Sequence, residues 1–267
     1  MSQTWVQYRQ RRRRSRIAAA ALSFLTAALV ALLGWFFLRG QFGLPGSGQG
    51  PSQARVYDPA WMKPVRAPRA VPAEGALALL ESLPVAPKDV ADHYQRTAFG
   101  QAWADEDRNG CDTRNDVLRR DLDAVTFTSG SERSLCRVAT GELWDPYTGK
   151  RIAFRRGERS SQNVQIDHVV ALGEAWKSGA ARLSPGLRQT LANDPLNLLA
   201  VDGPANQQKS AQDASTWLPA NRVFRCHYVA RQISVKYSYG LSVGPEEKAA
   251  MRRVLGGCPE QQSISGS

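Results

Sequence analysis

The sequence predicts an α+β fold, on three observations. Segments with alternating or β-branched apolar residues lie together between about residues 125 and 172, and helix-period segments stand before and after them. Nowhere do strands and helices follow one another as βαβ units. The composition, 42% hydrophobic and 22% charged with 22 Gly and 15 Pro, excludes a disordered, collagen-like or coiled-coil chain. Once the atypical first ~70 residues are set apart, about 190 remain, enough to bury one core.

The elements follow in order. EGALALLES (74–82) suits a short helix stopped by Pro84, and a second helix is expected over 92–103. After the acidic loop ADEDRNG, read as solvated because it lacks a calcium-loop pattern, DTRNDVLRRDL suits a helix capped by Asp112 or Thr113. VTFT, LCRVATGELWD and GKRIAF have strand character, with DPYTG as the turn between the last two. Trp144 in that stretch is expected in the core. VQIDHVVAL is a further strand-like piece, followed by helical GEAWKSGAARL and SPGLRQTLAN, the latter opened by Ser184-Pro185. LNLLAV reads as a strand broken by Asp202-Gly203-Pro204. Helices are expected over 205–213, 223–239 and 245–255.

Ahead of this domain the chain carries an address. Six Arg (9, 11, 12, 13, 14 and 16) precede 22 uncharged residues, 17–38. At 1.5 Å per residue that stretch spans roughly 30 Å, a bilayer core. Trp35, Phe36 and Phe37 close it, as suits a membrane interface. A cleaved signal peptide would have a shorter apolar region and a small-residue cleavage site, so the reading is a retained single-pass anchor with a cytoplasmic tail at 1–16. A flexible Gly/Pro/Ser-rich linker follows at 39–73, then an extracellular domain at 74–260 and a disordered tail at 261–267. Cleavage would give a secreted domain instead. Without the six arginines the formal charge falls from +11 to +5, so basicity is weak evidence for nucleic acid.

Four cysteines, Cys111, Cys136, Cys226 and Cys258, all lie beyond the anchor. An even number in an exported domain, with no C-x-x-C pair, favours disulfides over a zinc cluster. Pairing Cys111 with Cys136 and Cys226 with Cys258 joins neighbouring segments.

The chemistry centres on Asp167-His168, at the end of an apolar strand. A carboxylate beside an imidazole suits a metal ligand next to a general base. Downstream stand Asn197, Asn206 nine residues on and Lys209 three further. A strand, a tight turn and the first turn of a helix would gather these groups, with Lys209 one turn beyond Asn206 on the same helix face.

This D-H, N-L, N-x-x-K order resembles the HNH, or ββα-metal, nucleases. The frame QNVQIDHVVALGEAW, NDPLNLLAVDGPANQQKS and WLP is similar to the exported branch of the GmrSD C-terminal-like HNH endonucleases. The likeness runs from about Tyr94 to Cys258 and includes GCDTRNDVLRRDL, LWDPYTGK and YGLSVGPEEKAAM. It implies a ββα-metal core with added helices and a small antiparallel sheet. It implies metal-assisted phosphodiester hydrolysis with Asp167 and Asn206 as metal ligands, His168 as general base, Asn197 orienting the base and Lys209 contacting phosphate. Arg114 is a second candidate for phosphate contact, and His93 and His227 are read as structural. Oxygen-rich ligation favours Mg²⁺, with Mn²⁺ as the substitute. No structural zinc is expected, because Asp202 and Ala205 stand where a second C-x-x-C pair would be.

The implied partner is nucleic acid, DNA before RNA, with the membrane as anchor; no protein partner is deducible from the sequence. Two other classes compete: a non-catalytic surface module that binds nucleic acid or cell-wall polymer on an HNH-like scaffold, and a metal-dependent hydrolase of another polymer. The complete Asp167, His168, Asn197, Asn206 set argues against the first. The second lacks a carboxylate acid/base pair or a zinc triad.

Overall fold

The computed structural model describes residues 67–88, 93–128, 136–157 and 162–265. The expected basic tail, the apolar span 17–38 and most of the linker lie outside the described residues. Among the described residues no helix is long and apolar enough to cross a membrane. The architecture is mixed α+β, with two small antiparallel sheets among helices.

Helix α1 (Ala76–Ser82) buries Ala76, Leu79 and Leu80 and ends ahead of Pro84. The helix expected over 92–103 is only a 3₁₀ turn, Arg96–Phe99. Gly100 ends it at φ +74°, where an added Cβ would meet Gln189 Oε1 at 2.4 Å. His93 at φ +73° and Trp103 at φ +59° also leave the helical region, so the segment does not run as one helix.

Helix α2 (Thr113–Asp121) starts at Asp112, whose carboxylate accepts a hydrogen bond from the Asn115 amide at 2.8 Å. It packs Val117 and Leu118 against the inner face of a three-stranded sheet. The strands β1 (Asp123–Phe127), β2 (Val138–Trp144) and β3 (Arg151–Arg155) run antiparallel in that order. Val138, Leu143 and Phe154 point inward. Trp144, expected in the core, is 60% exposed. Alternation along β2 puts it opposite in face to Leu143, and the Arg151 guanidinium covers its ring at 5.0 Å.

The second sheet pairs β4 (Val164–His168) with β5 (Leu198–Asp202), antiparallel. Its register sets Ile166 opposite Ala200, Asp167 opposite Leu199 and His168 opposite Leu198. Between these strands come α3 (Leu172–Lys177), a 3₁₀ turn (Ala180–Arg182) and α4 (Pro185–Asn193). Ser184 caps α4 through its hydroxyl, which accepts from the Leu187 amide. GEAWKSGAARL is therefore broken at Ser178-Gly179 rather than continuous.

Helix α5 (Gly203–Lys209) begins two residues before the expected start at 205. Asp202, read as a strand breaker, is its N-cap, accepting from the Ala205 amide at 2.8 Å. Gly203 lies against the Gln162 carbonyl, which a Cβ would meet at 1.9 Å. Only glycine lets the helix start so close to the strand. Strands β4 and β5 with α5 form a ββα unit.

Helix α6 (Arg225–Tyr239) packs against α1 and α7 (Pro245–Leu255). It carries Tyr228, Val229 and Ile233 into the largest core cluster. The domain reaches past the expected limits of 74 and 260. The Ala76 amide donates to the Gln261 carbonyl, Ser263 to Glu74, Ile264 to the Ser234 hydroxyl and Arg69 to Ser238. Residues 261–265 are thus held in place by backbone hydrogen bonds that link the two ends of the domain.

Both expected disulfides are present, Cys111–Cys136 and Cys226–Cys258. They enclose separations of 25 and 32 residues, which the chain-entropy model equates with about 3–4 kcal/mol each. Replacing Cys226 and Cys258 with Ser should lower the denaturant midpoint by an amount equivalent to about 3–4 kcal/mol. Unfolding curves with and without reductant check it, since reductant should then shift the variant less than the parent.

Candidate active site

The ββα unit presents Asp167 and His168 on adjacent positions of β4, and a strand sends adjacent side chains to opposite faces. The consequence is a divided site.

Asp167 turns inward, toward α5. Lys209 Nζ lies 3.1 Å from its Oδ1 and 3.0 Å from its Oδ2, and donates to the His168 carbonyl at 2.9 Å. The Tyr147 hydroxyl donates to Asp167 Oδ2 at 2.5 Å. Lys209 and Tyr147 are fully buried, the latter edge-on to Trp217 and Tyr228. Burial pushes the Asp167 carboxyl up, and the Lys209 ammonium opposes that shift. The same burial pushes the Tyr147 phenol up.

The expectation that Lys209 reaches a phosphate therefore needs correction. Its charge is spent on a buried carboxylate that would otherwise be unpaired. Asn206, half-buried one turn earlier, donates its amide to Gln165 Oε1 at 2.9 Å rather than joining Asp167. Gln165 and Asp167 share a face of β4, so Asn206 and Lys209 run along that face in step.

His168 turns the other way. Its Nε2 lies 2.8 Å from the Ala192 carbonyl at the end of α4, and its ring is near-parallel to Trp103, 6.2 Å between centroids at 19°. A carbonyl oxygen only accepts, so Nε2 carries the proton and Nδ1 is left as the acceptor. Burial pushes the imidazole pKa down to about 3; the charges of Arg96 and Lys209 push the same way and the Ala192 hydrogen bond opposes. His168 is thus neutral. It lines a narrow cleft of about 30 Å³ with Arg96, Phe99, Gly100, Gln101 and Trp103 among its walls.

Asn197 is fully buried. Its Oδ1 accepts from the Val170 amide at 2.8 Å, and its amide donates to Val170 and Leu191 carbonyls at 3.3 and 3.4 Å. Asn197 does not touch the imidazole. It ties the strand end to Leu191, the residue before the carbonyl that holds His168.

Arg114 is half-buried at the start of α2 and is not among the residues lining the cleft. Burial lowers its pKa, opposed by nearby Asp112. His93 is exposed and His227 is half-buried, its pKa pushed down to about 4 by burial.

Three residues of this region carry no signal in the sequence. Tyr147 reads as part of a turn. Arg96 and Trp103 lie some 65–72 positions before His168 and meet it only through the tertiary fold. Trp103 sits at φ +59°, a conformation bulky L-residues rarely adopt, which costs on the order of 1–3 kcal/mol. The Ala104 amide donates to Asn193 Oδ1 at 3.0 Å, and the Thr113 hydroxyl donates to the Ala104 carbonyl, holding the strained loop.

The donor set tests the implied metal. Both Asp167 oxygens face an ammonium and one also accepts from a phenol, while Asn206 is turned to Gln165. Among the described residues no group of three or more His, Cys, Asp or Glu converges as metal ligands do. As folded, Asp167 and Asn206 do not fit a divalent cation, because it would stand beside the buried Lys209 charge.

A ββα unit with an imidazole fixed on a cleft defines the class, a nuclease-like α+β domain. The model of the GmrSD restriction endonucleases, C-terminal domain, matches residues 112–254. A protein of Arthroderma benhamiae described as an uncharacterized secreted protein is 38% identical over 198 residues, 73% of this chain and 91% of its own. No solved structure matches. The chain belongs to the GmrSD C-terminal-domain family, of HNH type.

Lys209→Met should destabilise the domain by about 3–5 kcal/mol by leaving Asp167 buried and unpaired. Adding Asp167→Leu to Lys209→Met should recover much of that loss, since both charges are then gone. A double-mutant cycle by denaturant unfolding measures the coupling. A Lys209→Met protein of parental stability would show that the ammonium is not committed to Asp167.

Proposed function

We propose that this chain is an endonuclease that hydrolyses phosphodiester bonds, with His168 as general base. The observation that carries the reading is the Nε2–H bond to the Ala192 carbonyl, 2.8 Å, at the wall of a cleft. It fixes one tautomer, so Nδ1 can take the proton from water as the oxygen attacks phosphorus and the bond to the leaving oxygen breaks. Asn197 acts as a positioning residue by holding Leu191, next to that carbonyl. Membership of an HNH-type family supports the nucleic-acid substrate, and DNA is the form to test first.

The family's divalent-metal dependence carries over as an expectation. Because Asp167 and Asn206 do not fit a cation as folded, no step is assigned to it. That misfit favours one second reading, a surface module that binds nucleic acid without cutting it.

His168→Ala should lose cleavage by about 10²–10⁴-fold while staying folded. His93→Ala and His227→Ala should retain near-parental rates. The measurement is plasmid nicking by the full chain in detergent, with Mg²⁺, with Mn²⁺ and with EDTA, and circular dichroism for folding. A folded His168→Ala protein cutting at the parental rate would sink the mechanism; no cleavage by the parent in any condition would favour the binding module.

We also propose that residues 17–38 anchor the domain outside the membrane. Two disulfides and a secreted relative support an oxidising compartment, and the arginines ahead of the apolar span support a cytoplasmic N-terminus. Protease added to intact cells should digest the domain and leave a small protected stub. Recovery of a soluble domain lacking residues 1–38 from the medium would point to cleavage instead.

A further inference from the structure

A nuclease cleft needs a cation for the phosphate and a surface for the neighbouring base. Lys209 cannot be that cation, since it is buried on the opposite face of β4. Arg114 does not line the cleft. Arg96 does, from the 3₁₀ turn, and it is the one cationic side chain among the described residues around the cleft. Arg96 is exposed, and no hydrogen bond or ion pair among the described residues engages its guanidinium. Charge-assisted contact to a phosphate is what a free guanidinium at a cleft mouth does best.

The second wall is Trp103. Its backbone is held in the left-handed region, and the strain is stabilised by Asn193 and Thr113 on either side of Ala104. The indole packs against the core cluster that includes Val117, Leu118 and Phe154, and it stands beside His168. The ring is only partly buried and near-parallel to the imidazole. A partly exposed indole at the edge of a basic cleft is a platform for a nucleobase.

We infer that Arg96 and Trp103 form a nucleotide subsite beside His168, Arg96 holding a backbone phosphate and Trp103 stacking the adjoining base. The inference rests on the nuclease reading and narrows its substrate. Stacking on Trp103 needs a base face that a paired duplex does not offer, so the subsite selects single-stranded or locally unpaired nucleic acid. Both residues precede residue 112, where the match to the family model begins.

The test measures binding separately from cleavage. The full chain in detergent, in the His168→Ala background, is titrated by fluorescence anisotropy with a short phosphorothioate-linked single strand and with the corresponding duplex. The single strand should bind at least about tenfold tighter than the duplex. Arg96→Gln should weaken single-strand binding by roughly 5- to 50-fold and reduce the salt slope by about one. Trp103→Ala should weaken it by roughly 5- to 100-fold, the range of one base stack, with Trp103→Phe keeping most of the affinity. Tryptophan quenching on binding should be smaller in Trp103→Phe than in the parent.

Parental affinity and salt slope in both Arg96→Gln and Trp103→Ala would overturn the subsite, as would equal binding of duplex and single strand. The nuclease reading fails separately. A parent that binds the single strand through Arg96 and Trp103 yet cuts nothing keeps the subsite and loses the catalysis. A parent that cuts while both variants bind normally keeps the catalysis and loses the subsite.

Discussion

Everything at the candidate site depends on the pairing of β4 with β5 in one register. Asp167 lies opposite Leu199 and His168 opposite Leu198. With a side-chain period of two, a slip of one residue would exchange the faces of the two polar groups. In the observed register the carboxylate enters the core beneath α5, and the imidazole faces the cleft. Leu198, Ala200 and Ile166 pack with α2 on one side, while Leu199 and Val201 join the main core on the other. The apolar residues on both faces therefore hold the register, and the register divides the site.

Buried charge is the second organising element. Lys209 bridges Asp167 and the β4 backbone, which fixes the last turn of α5 against the strand. Lys236, also fully buried, lies 2.8 Å from Glu174 and 2.9 Å from Glu247, and Lys88 joins the same carboxylates together with Asp213. The cations hold Glu174 below the usual carboxylate range, while burial and Glu174 itself push Glu247 above it. Desolvating such groups offsets most of their attraction, so they add little net stability. They do join α3, α6 and α7 through shared ion pairs. The Glu174 Oε2 atom still lacks a hydrogen bond.

The ββα core was legible because its signals are local. The cap at Asp112, the Ser184-Pro185 start, the DPYTG turn and the alternating strands each act within a few residues. Misreadings occurred where a longer-range contact won. The expected helix over 92–103 is interrupted by positive φ at His93, Gly100 and Trp103, the last in a loop held by Asn193 and Thr113, and Trp144 lies outward because the inner face of β2 is filled by Leu143. The tail after 260 is retained through hydrogen bonds to Glu74, Ala76 and Ser234, the first two nearly two hundred positions away.

The same distinction applies to the site. Sequence by itself determined which polar residues stand together: Asp167 beside His168, Asn206 one turn before Lys209, and four cysteines in two neighbouring pairs. Spacing of that kind follows from helix and strand geometry alone. Only the tertiary structure decided what each group does. It committed Lys209 to Asp167, because a carboxylate driven into the core by its strand position needs a countercharge there. It set the Ala192 carbonyl on His168, and it brought Arg96 and Trp103 from a distant loop to the cleft. Such contacts depend on the packing of elements far apart in the chain, and no short-range pattern encodes them.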